Sequence, residues 1–186
     1  MRIVGGFIKG KKLNFIKCKN TRPLKDLVKE SIFNIITHSK LINIYIQDSE
    51  VLDLYSGVGS FGIECISRGV KNVDFVEENN QAISILKENL NKLKLNEKSK
   101  LYETRIDNFI NKFAKKKYDL FFFDPPFKEN AYVKELESIY KLKLFKKDHL
   151  IIIHREKTSN DKFNNFFKIF LEKNYGRSKI LFATFV

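Results

Sequence analysis

The sequence predicts an α/β fold: a mostly parallel, seven-stranded sheet with helices on both faces, a C-terminal antiparallel hairpin and a small basic N-terminal extension. Three observations lead there. From about residue 44, apolar runs of strand length alternate with stretches whose apolar residues recur at helical spacing, the βα rhythm of a parallel sheet. Two of those runs, Val51-Leu52-Asp53-Leu54 and Leu120-Phe121-Phe122-Phe123, are of the buried type, covered on both faces. The C-terminal residues read as two long strands about Asn174-Tyr175-Gly176-Arg177, which adds antiparallel edge strands.

Each element follows from local pattern. Residues 1–20 read as short strands around Gly5-Gly6 and Gly10, a small hairpin-like or extended unit. Thr21-Arg22-Pro23 opens a helix, because proline suits the first turn, where its missing N–H costs nothing. Leu24, Val28, Ile32 and Ile35 give that helix one apolar stripe, and it ends near His38. A strand over 50–55 leads to a helix over 61–68, closed by Gly69. A strand over 72–76, a helix over 81–93 (Ile83, Leu86, Leu90, Leu93) and a short strand over 100–103 follow. Next come a helix carrying Ile106, Phe109, Ile110 and Phe113, the strand 118–124, a helix over 132–140 and a strand over 150–154. The extension is placed at 1–43 and the α/β domain at 44–186.

The 186 residues suit one domain, with 43% hydrophobic residues and 18 Phe to build its core. No apolar stretch approaches the roughly 20 residues that span a bilayer. The start, Met1-Arg2-Ile3-Val4-Gly5-Gly6, lacks the pattern of a secretory signal. Cys18 and Cys65 have neither metal-ligand nor disulfide spacing, so no metal and a reducing, cytoplasmic location are expected. No dimerisation stripe is left over once the core is assigned, so a monomer is expected. The net charge of +13 points to a polyanionic partner. It is unevenly spread: residues 1–29 hold nine Lys/Arg against one acid, Asp26. That concentration predicts a nucleic-acid-facing patch, with Arg2, Lys9, Lys11, Lys12 and Arg22 gripping phosphates.

Two strand ends carry chemistry. The first strand runs into Gly57-Val58-Gly59-Ser60-Phe61-Gly62, a G-x-G-x-x-G loop opening a helix, with Glu77 at the end of the next strand. Glycines let backbone approach a ligand, and an acid at that place accepts from ribose hydroxyls. A dinucleotide fits this pattern alone. Asp53, four residues before Gly57, tilts the choice toward S-adenosylmethionine, because its carboxylate can orient the loop and the cofactor's ammonium group. Asp53, Tyr55, Ser56, Gly57, Gly59 and Glu77 are the candidate cofactor residues.

The second strand end is Asp124-Pro125-Pro126-Phe127. Two prolines stiffen a corner that aims the Asp124 carboxylate and the Pro125 carbonyl outward. An exocyclic base amine is a poor nucleophile, because its lone pair is delocalised into the ring. Two acceptors gripping its hydrogens free that lone pair, and Asp124 can stabilise or remove the proton released. Phe127 offers a face on which a flipped-out base stacks. Together the two turns predict a Rossmann-like, S-adenosylmethionine-dependent methyltransferase acting by direct displacement. Alternatives are an adenine-N6 or other exocyclic-amine methyltransferase on DNA or RNA, and an idle RNA-binding ribosome-assembly factor on the same scaffold. A dinucleotide oxidoreductase is a third.

These residues resemble the amino-methyltransferases with the (Asp/Asn)-Pro-Pro-(Tyr/Phe) motif. Over nearly its full length the chain is similar to the bacterial 16S ribosomal RNA guanine-N2 methyltransferases of the small subunit. The similarity is carried by Met1 to Gly6, Lys9-Gly10-Lys11-Lys12-Leu13, Thr21-Arg22-Pro23 and Val28-Lys29-Glu30-Ser31-Ile32-Phe33-Asn34. It continues through Leu52 to Gly57, Ser67-Arg68-Gly69, Phe75-Val76-Glu77, Phe123 to Phe127 and Tyr175-Gly176-Arg177-Ser178. The resemblance implies transfer of a methyl group to the N2 amine of one guanine in 16S RNA. Two places depart from the pattern. Arg105 stands where the family often has an acid or amide reading the cofactor's adenine, with Asp107 two residues on as a substitute. The fifth strand ends in His154-Arg155 instead of an acid.

Overall fold

Strand pairing in the computed structural model follows the order β3-β2-β1-β4-β5-β7-β6, and residues 1–16, 24–126 and 131–186 are described. The strands are β1 (Glu50–Leu54), β2 (Asn72–Glu77), β3 (Ser99–Glu103), β4 (Tyr118–Phe123), β5 (Phe145–Glu156), β6 (Phe167–Tyr175) and β7 (Ser178–Phe185). The first five pair in parallel, and β7 runs antiparallel between β5 and β6. Chain order reverses between β1 and β4. That crevice, at the carboxyl ends of the strands, is where open α/β sheets bind ligands.

The helices are α1 (Asp26–His38), α2 (Ser60–Ser67), α3 (Asn80–Leu93), α4 (Ile106–Lys112) and α5 (Tyr132–Lys141). They sort into two cores by strand alternation. Val51, Leu120, Phe122, Leu150 and Ile152 pack with α1, α2 and α3; Leu52, Leu54, Phe121, Phe123, Ile151 and Ile153 pack with α4 and α5. On the first side a ring stack, Phe33–Phe61–Phe122, runs from α1 through α2 to β4 with centroids 5.3 and 3.9 Å apart. Apolar burial of this kind, about 25 cal/mol per Å², drives the assembly.

Three expectations need correction. The apolar stripe of α1 runs through Val28, Ile32, Phe33 and Ile36, leaving Ile35 half-buried. The fifth strand begins at Phe145, not at residue 150, because Tyr118 pairs with Phe145 before a register shift toward Leu120 and Leu150. Phe145 is half-buried against the second core, but the residues that follow it, Lys146-Lys147-Asp148, carry no apolar signal. Residues 1–16 form the expected hairpin-like unit, but it is held by one antiparallel bridge pair, Arg2 with Lys12, and by backbone bonds such as Ile3 N–H to the Lys11 carbonyl, in place of regular short strands. The expected helix opening at Thr21-Arg22-Pro23 lies outside the described residues.

The N-terminal segment lies along α2. Near the start of that helix, Lys29 Nζ donates to the Arg2 carbonyl (2.7 Å) and contacts Ser60 Oγ (3.2 Å). One turn on, Val4 N–H donates to Glu64 Oε2 (2.8 Å). At the far end, Ser67 Oγ donates to the Gly5 carbonyl and the Ser67 carbonyl accepts from Phe7 N–H. Gly6 is required there, since its φ is +76° and a Cβ would fall 1.8 Å from the Ser67 carbonyl oxygen. Ile3 and Leu13 enter the same core as α1 to α3. Lys29, counted by composition with the basic patch, is fully buried and ion-paired to Glu64 at 3.7 Å. Burial lowers its pKa, and Glu64 opposes the shift.

Candidate active site

Sheet register aligns the site. Leu54 of β1 sits between Val76 of β2 and Phe123 of β4, and Phe123 sits beside Ile153 of β5. One residue further along each strand come Glu77, Tyr55, Asp124 and His154, in a row along the carboxyl edge. Local sequence shows each strand end; only the pairing shows that they are neighbours.

The glycine loop coils tightly above that row. Tyr55 (φ 59°), Gly57 (φ 55°) and Gly59 (φ 83°) all take left-handed backbone. For Tyr55 this costs on the order of 1 kcal/mol, the kind of strain that functional loops retain. Buried Ser56 pins the loop. Its hydroxyl donates to the Asp53 carbonyl (2.6 Å), lies 3.1 Å from the Val76 carbonyl and accepts from Val76 N–H (2.9 Å). Glu77 gathers the next turn: Oε2 accepts from Gly57 N–H (2.7 Å), Oε1 from Glu78 and Asn79 N–H (3.0 and 2.9 Å). A carboxylate offers about four lone-pair positions, so one is left for a ligand hydroxyl. Asp53 is buried, and its Oδ2 accepts from Gly62 N–H at 2.9 Å in the first turn of α2. Burial pushes its carboxyl well above the usual range against the Gly62 hydrogen bond, with Asp124 and Glu77 adding to the rise.

Between this loop and the Asp124 turn lies a cavity of about 510 Å³. Asp53, Tyr55, Ser56, Gly57, Glu77, Asp124, Pro125 and Pro126 all line it, with Phe61 and Phe122 among its apolar lining. Three carboxylates thus meet in one space, and no lysine or arginine is among the described lining residues. Gly59 is drawn toward the helices: a Cβ there would lie 2.3 Å from Leu86 Cδ1. Asp124 is half-buried, and its backbone hold on the sheet is long, 3.4 Å from N–H to the Leu54 carbonyl.

Asp107 stands apart from the cavity lining. It lies exposed in the first turn of α4, accepting from Arg105 Nε (3.2 Å) and Asn108 N–H (2.8 Å). Those bonds, Asn108 first, hold its carboxyl below the usual range. Phe127 and Arg22 lie outside the described residues. Arg2, Lys9, Lys11 and Lys12 are exposed, and Arg2 pairs with Asp26 at 3.4 Å. Among the described residues no group of three or more His, Cys, Asp or Glu is placed to hold a metal, and no helix is long and apolar enough to cross a membrane.

Several lining residues carry no motif. Met1, Phe15, Ile16 and Leu24 wall the cavity from the N-terminal side, while Asn79, Gln81 and Ala82 close it at α3. Asn79 had a readable signal as the helix cap, its Oδ1 accepting from Ala82 N–H at 3.0 Å. His154 stands out in the sequence only as the residue found where an acid is expected to end the fifth strand. It is buried, with Nδ1 2.9 Å from Asp124 Oδ1.

A family model described as Conserved hypothetical protein 95 matches residues 1–184. The chain is 32% identical over 160 residues to the ribosomal RNA small subunit methyltransferase D of Buchnera aphidicola (subsp. Baizongia pistaciae), covering 86% of this chain and 78% of that one. Its fold superposes on the solved Haemophilus influenzae protein HI0767 with a TM-score of 0.79 and 28% identity, over 98% of this chain and 96% of that one. SMU.776, solved in complex with S-adenosylhomocysteine, shares the fold at a TM-score of 0.61 and 13% identity, over 83% of this chain and 48% of that one.

Proposed function

The chain belongs to the family described as Conserved hypothetical protein 95, and on that footing we propose that it transfers a methyl group from S-adenosylmethionine to the exocyclic N2 amine of one guanine in 16S ribosomal RNA of the small subunit. The name of the Buchnera relative supports methylation of small-subunit ribosomal RNA; guanine N2 is the finer part of the reading.

The observation that carries the proposal is the meeting of Asp53, Glu77 and Asp124 in a cavity whose described lining holds no lysine or arginine. Such a site suits a ligand bearing cationic centres, as the ammonium and sulfonium of S-adenosylmethionine are, and opposes the pyrophosphate of a dinucleotide. Gly57 adds to the fit, since nothing stands within 4 Å of where its Cβ would be. The SAH complex of a protein sharing the fold supports the same ligand class.

When bound, the cofactor supplies an electrophilic methyl carbon. Asp53, the Tyr55–Gly59 loop and Glu77 would hold it, the last through its remaining acceptor position. Asp124 and the Pro125 carbonyl would accept from the two N–H groups of the amine, freeing its lone pair, and Asp124 would take the proton released. Phe127 would stack the base, and Asp107 is retained as a candidate toward the adenine. Lys9, Lys11 and Lys12 would contact phosphates, as would Arg2 and Arg22. No step requires a metal or a covalent intermediate with this chain, and a cytoplasmic monomer fits the proposed role.

The test is methyl transfer from labelled S-adenosylmethionine to unmodified small subunits, naked 16S RNA and DNA in parallel. Label is expected as N2-methylguanine in RNA or subunit. Asp124→Ala should cut transfer at least about 100-fold while binding cofactor normally. Label in DNA or on adenine would refute the guanine-N2 assignment, and full transfer by Asp124→Ala would refute the catalytic one.

A further inference from the structure

We infer that His154 and Arg155 are positioning residues that grip the Asp124-Pro125-Pro126 turn from opposite faces of the sheet; the inference rests on the methyl-transfer reading above. Consecutive residues of a strand project to opposite faces. In β5, Leu150 and Ile152 face α1 to α3, whereas Ile151 and Ile153 face α4 and α5. His154 continues the first series and Arg155 the second. The Phe123–Ile153 pairing sets His154 beside Asp124, where Nδ1 lies 2.9 Å from Oδ1. An ionised Asp124 can only accept, so Nδ1 carries the proton in that bond. On the other face, Arg155 Nη1 donates to the Pro126 carbonyl at 3.2 Å.

Arg155 is itself locked. Nε and Nη2 donate to the two oxygens of Asp161 at 3.2 and 2.9 Å, and both side chains are all but fully buried, 1% and 2% exposed. The guanidinium also lies 4.8 Å from the ring centroid of Tyr132, the first residue of α5. A planar fork held by a carboxylate on one edge presents its remaining N–H in a fixed direction. The turn needs such a hold, because its own backbone bond to β1 is long, at 3.4 Å. Two prolines make the corner rigid but do not fix how the corner sits on the sheet. A buried ion pair is no general source of stability, being replaceable by apolar residues at little cost. Fixing the turn gives this pair a role that stability alone does not.

The test separates fold from positioning. Arg155→Met combined with Asp161→Leu removes both charges together, so the variant should fold, with Tm within about 4 °C of wild type. Cofactor affinity should stay within about twofold. The single-turnover rate should fall at least tenfold with the RNA KM little changed, since a misplacement of ~1 Å can cost on the order of 100-fold. Arg155→Lys keeps a charge beside Asp161 but not the fork, and should lose rate in the same direction. His154→Leu should show the same pattern, and His154→Asn, whose amide N–H can reach Asp124, should recover most of the rate.

Folded Arg155 variants with rates within twofold of wild type would overturn the role of Arg155. His154→Asn no faster than a slowed His154→Leu, or His154→Leu as fast as wild type, would overturn that of His154. Wild-type protein that transfers nothing would overturn the methyl-transfer reading and this inference with it; wild-type transfer beside unaffected variants overturns the inference alone.

Discussion

Gly57→Ala distinguishes a glycine the chain needs from a glycine a ligand needs. At Gly62 a Cβ would lie 2.3 Å from Phe75 Cε1 and 2.8 Å from Asp53 Oδ2, so packing alone demands glycine. At Gly57 a Cβ would meet nothing within 4 Å, and the only cost to the protein is a left-handed alanine at φ 55°. That costs about 1 kcal/mol, which for a chain of this size lowers Tm by roughly 2–4 °C. The added methyl projects beside the N–H that Glu77 holds at 2.7 Å, on the wall of the cavity. A cofactor seated against the loop must then move or lose contact, and a loss of at least tenfold in affinity, about 1.4 kcal/mol, is expected. Thermal unfolding without ligand gives the first quantity, and calorimetric titration with S-adenosylmethionine gives the second. Cofactor at ~100 Kd should stabilise wild type by about 2.7 kcal/mol, and the variant at the same concentration by roughly half of that. A small fall in Tm with unchanged cofactor affinity would refute the placement of the cofactor against this loop.

Asp53→Asn should trade binding for stability. Because the folded-state pKa of Asp53 is raised, its contribution is present below the ordinary 3.8 and lost as pH rises through the raised value. The asparagine variant keeps an acceptor for Gly62 N–H, so it should melt higher than wild type near neutral pH, with the gap closing as pH falls toward 3.8; a gap independent of pH would sink the assignment. Replacing Lys9, Lys11 and Lys12 together by alanine should weaken RNA binding and flatten its salt dependence by about two to three in the log–log slope. An unchanged slope would remove these lysines from the RNA interface.

The parts of the molecule legible in the sequence are those with a local cause. Continuous apolar runs marked β1 and β4, and the Asp53 and Asp124 ends followed from them. What escaped depends on pairing between distant segments. The start of β5, polar after Phe145, has no strand pattern, and pairing of Phe145 with Tyr118 of the neighbouring β4 recruits it. His154 reads as an ordinary strand end until register sets it against Asp124. Arg155 and Asp161 are both charged and close in sequence, which on a surface means little; burial turns them into a clamp. Lys29 shows the same limit from the opposite direction. Composition places it with the exposed lysines, and the fold takes it inside to join the Arg2 carbonyl, Ser60 and Glu64.

That buried lysine also explains how a segment set apart by its charge is bound to the site. Arg2 and Val4 are tied through Lys29 and Glu64 to α2, the helix that the glycine loop opens. On the far side of the loop, fully buried Asn89 of α3 donates to the Asn14 and Val58 carbonyls (both 3.1 Å) and accepts from Asn14 N–H (2.8 Å). One amide thus links the N-terminal segment to the cofactor loop itself, because Val58 lies between Gly57 and Gly59. Phe15 and Ile16 then continue directly into the cavity wall. A buried, fully engaged amide is costly to disengage, since each group left unpaired costs about 1–3 kcal/mol. The basic segment therefore cannot lift away as an independent arm without disturbing the loop. On the reading proposed here, the lysines that meet RNA and the glycines that meet the cofactor are held in one frame, and phosphate contacts at Lys9 to Lys12 fix the position of the target base relative to the Asp124 turn.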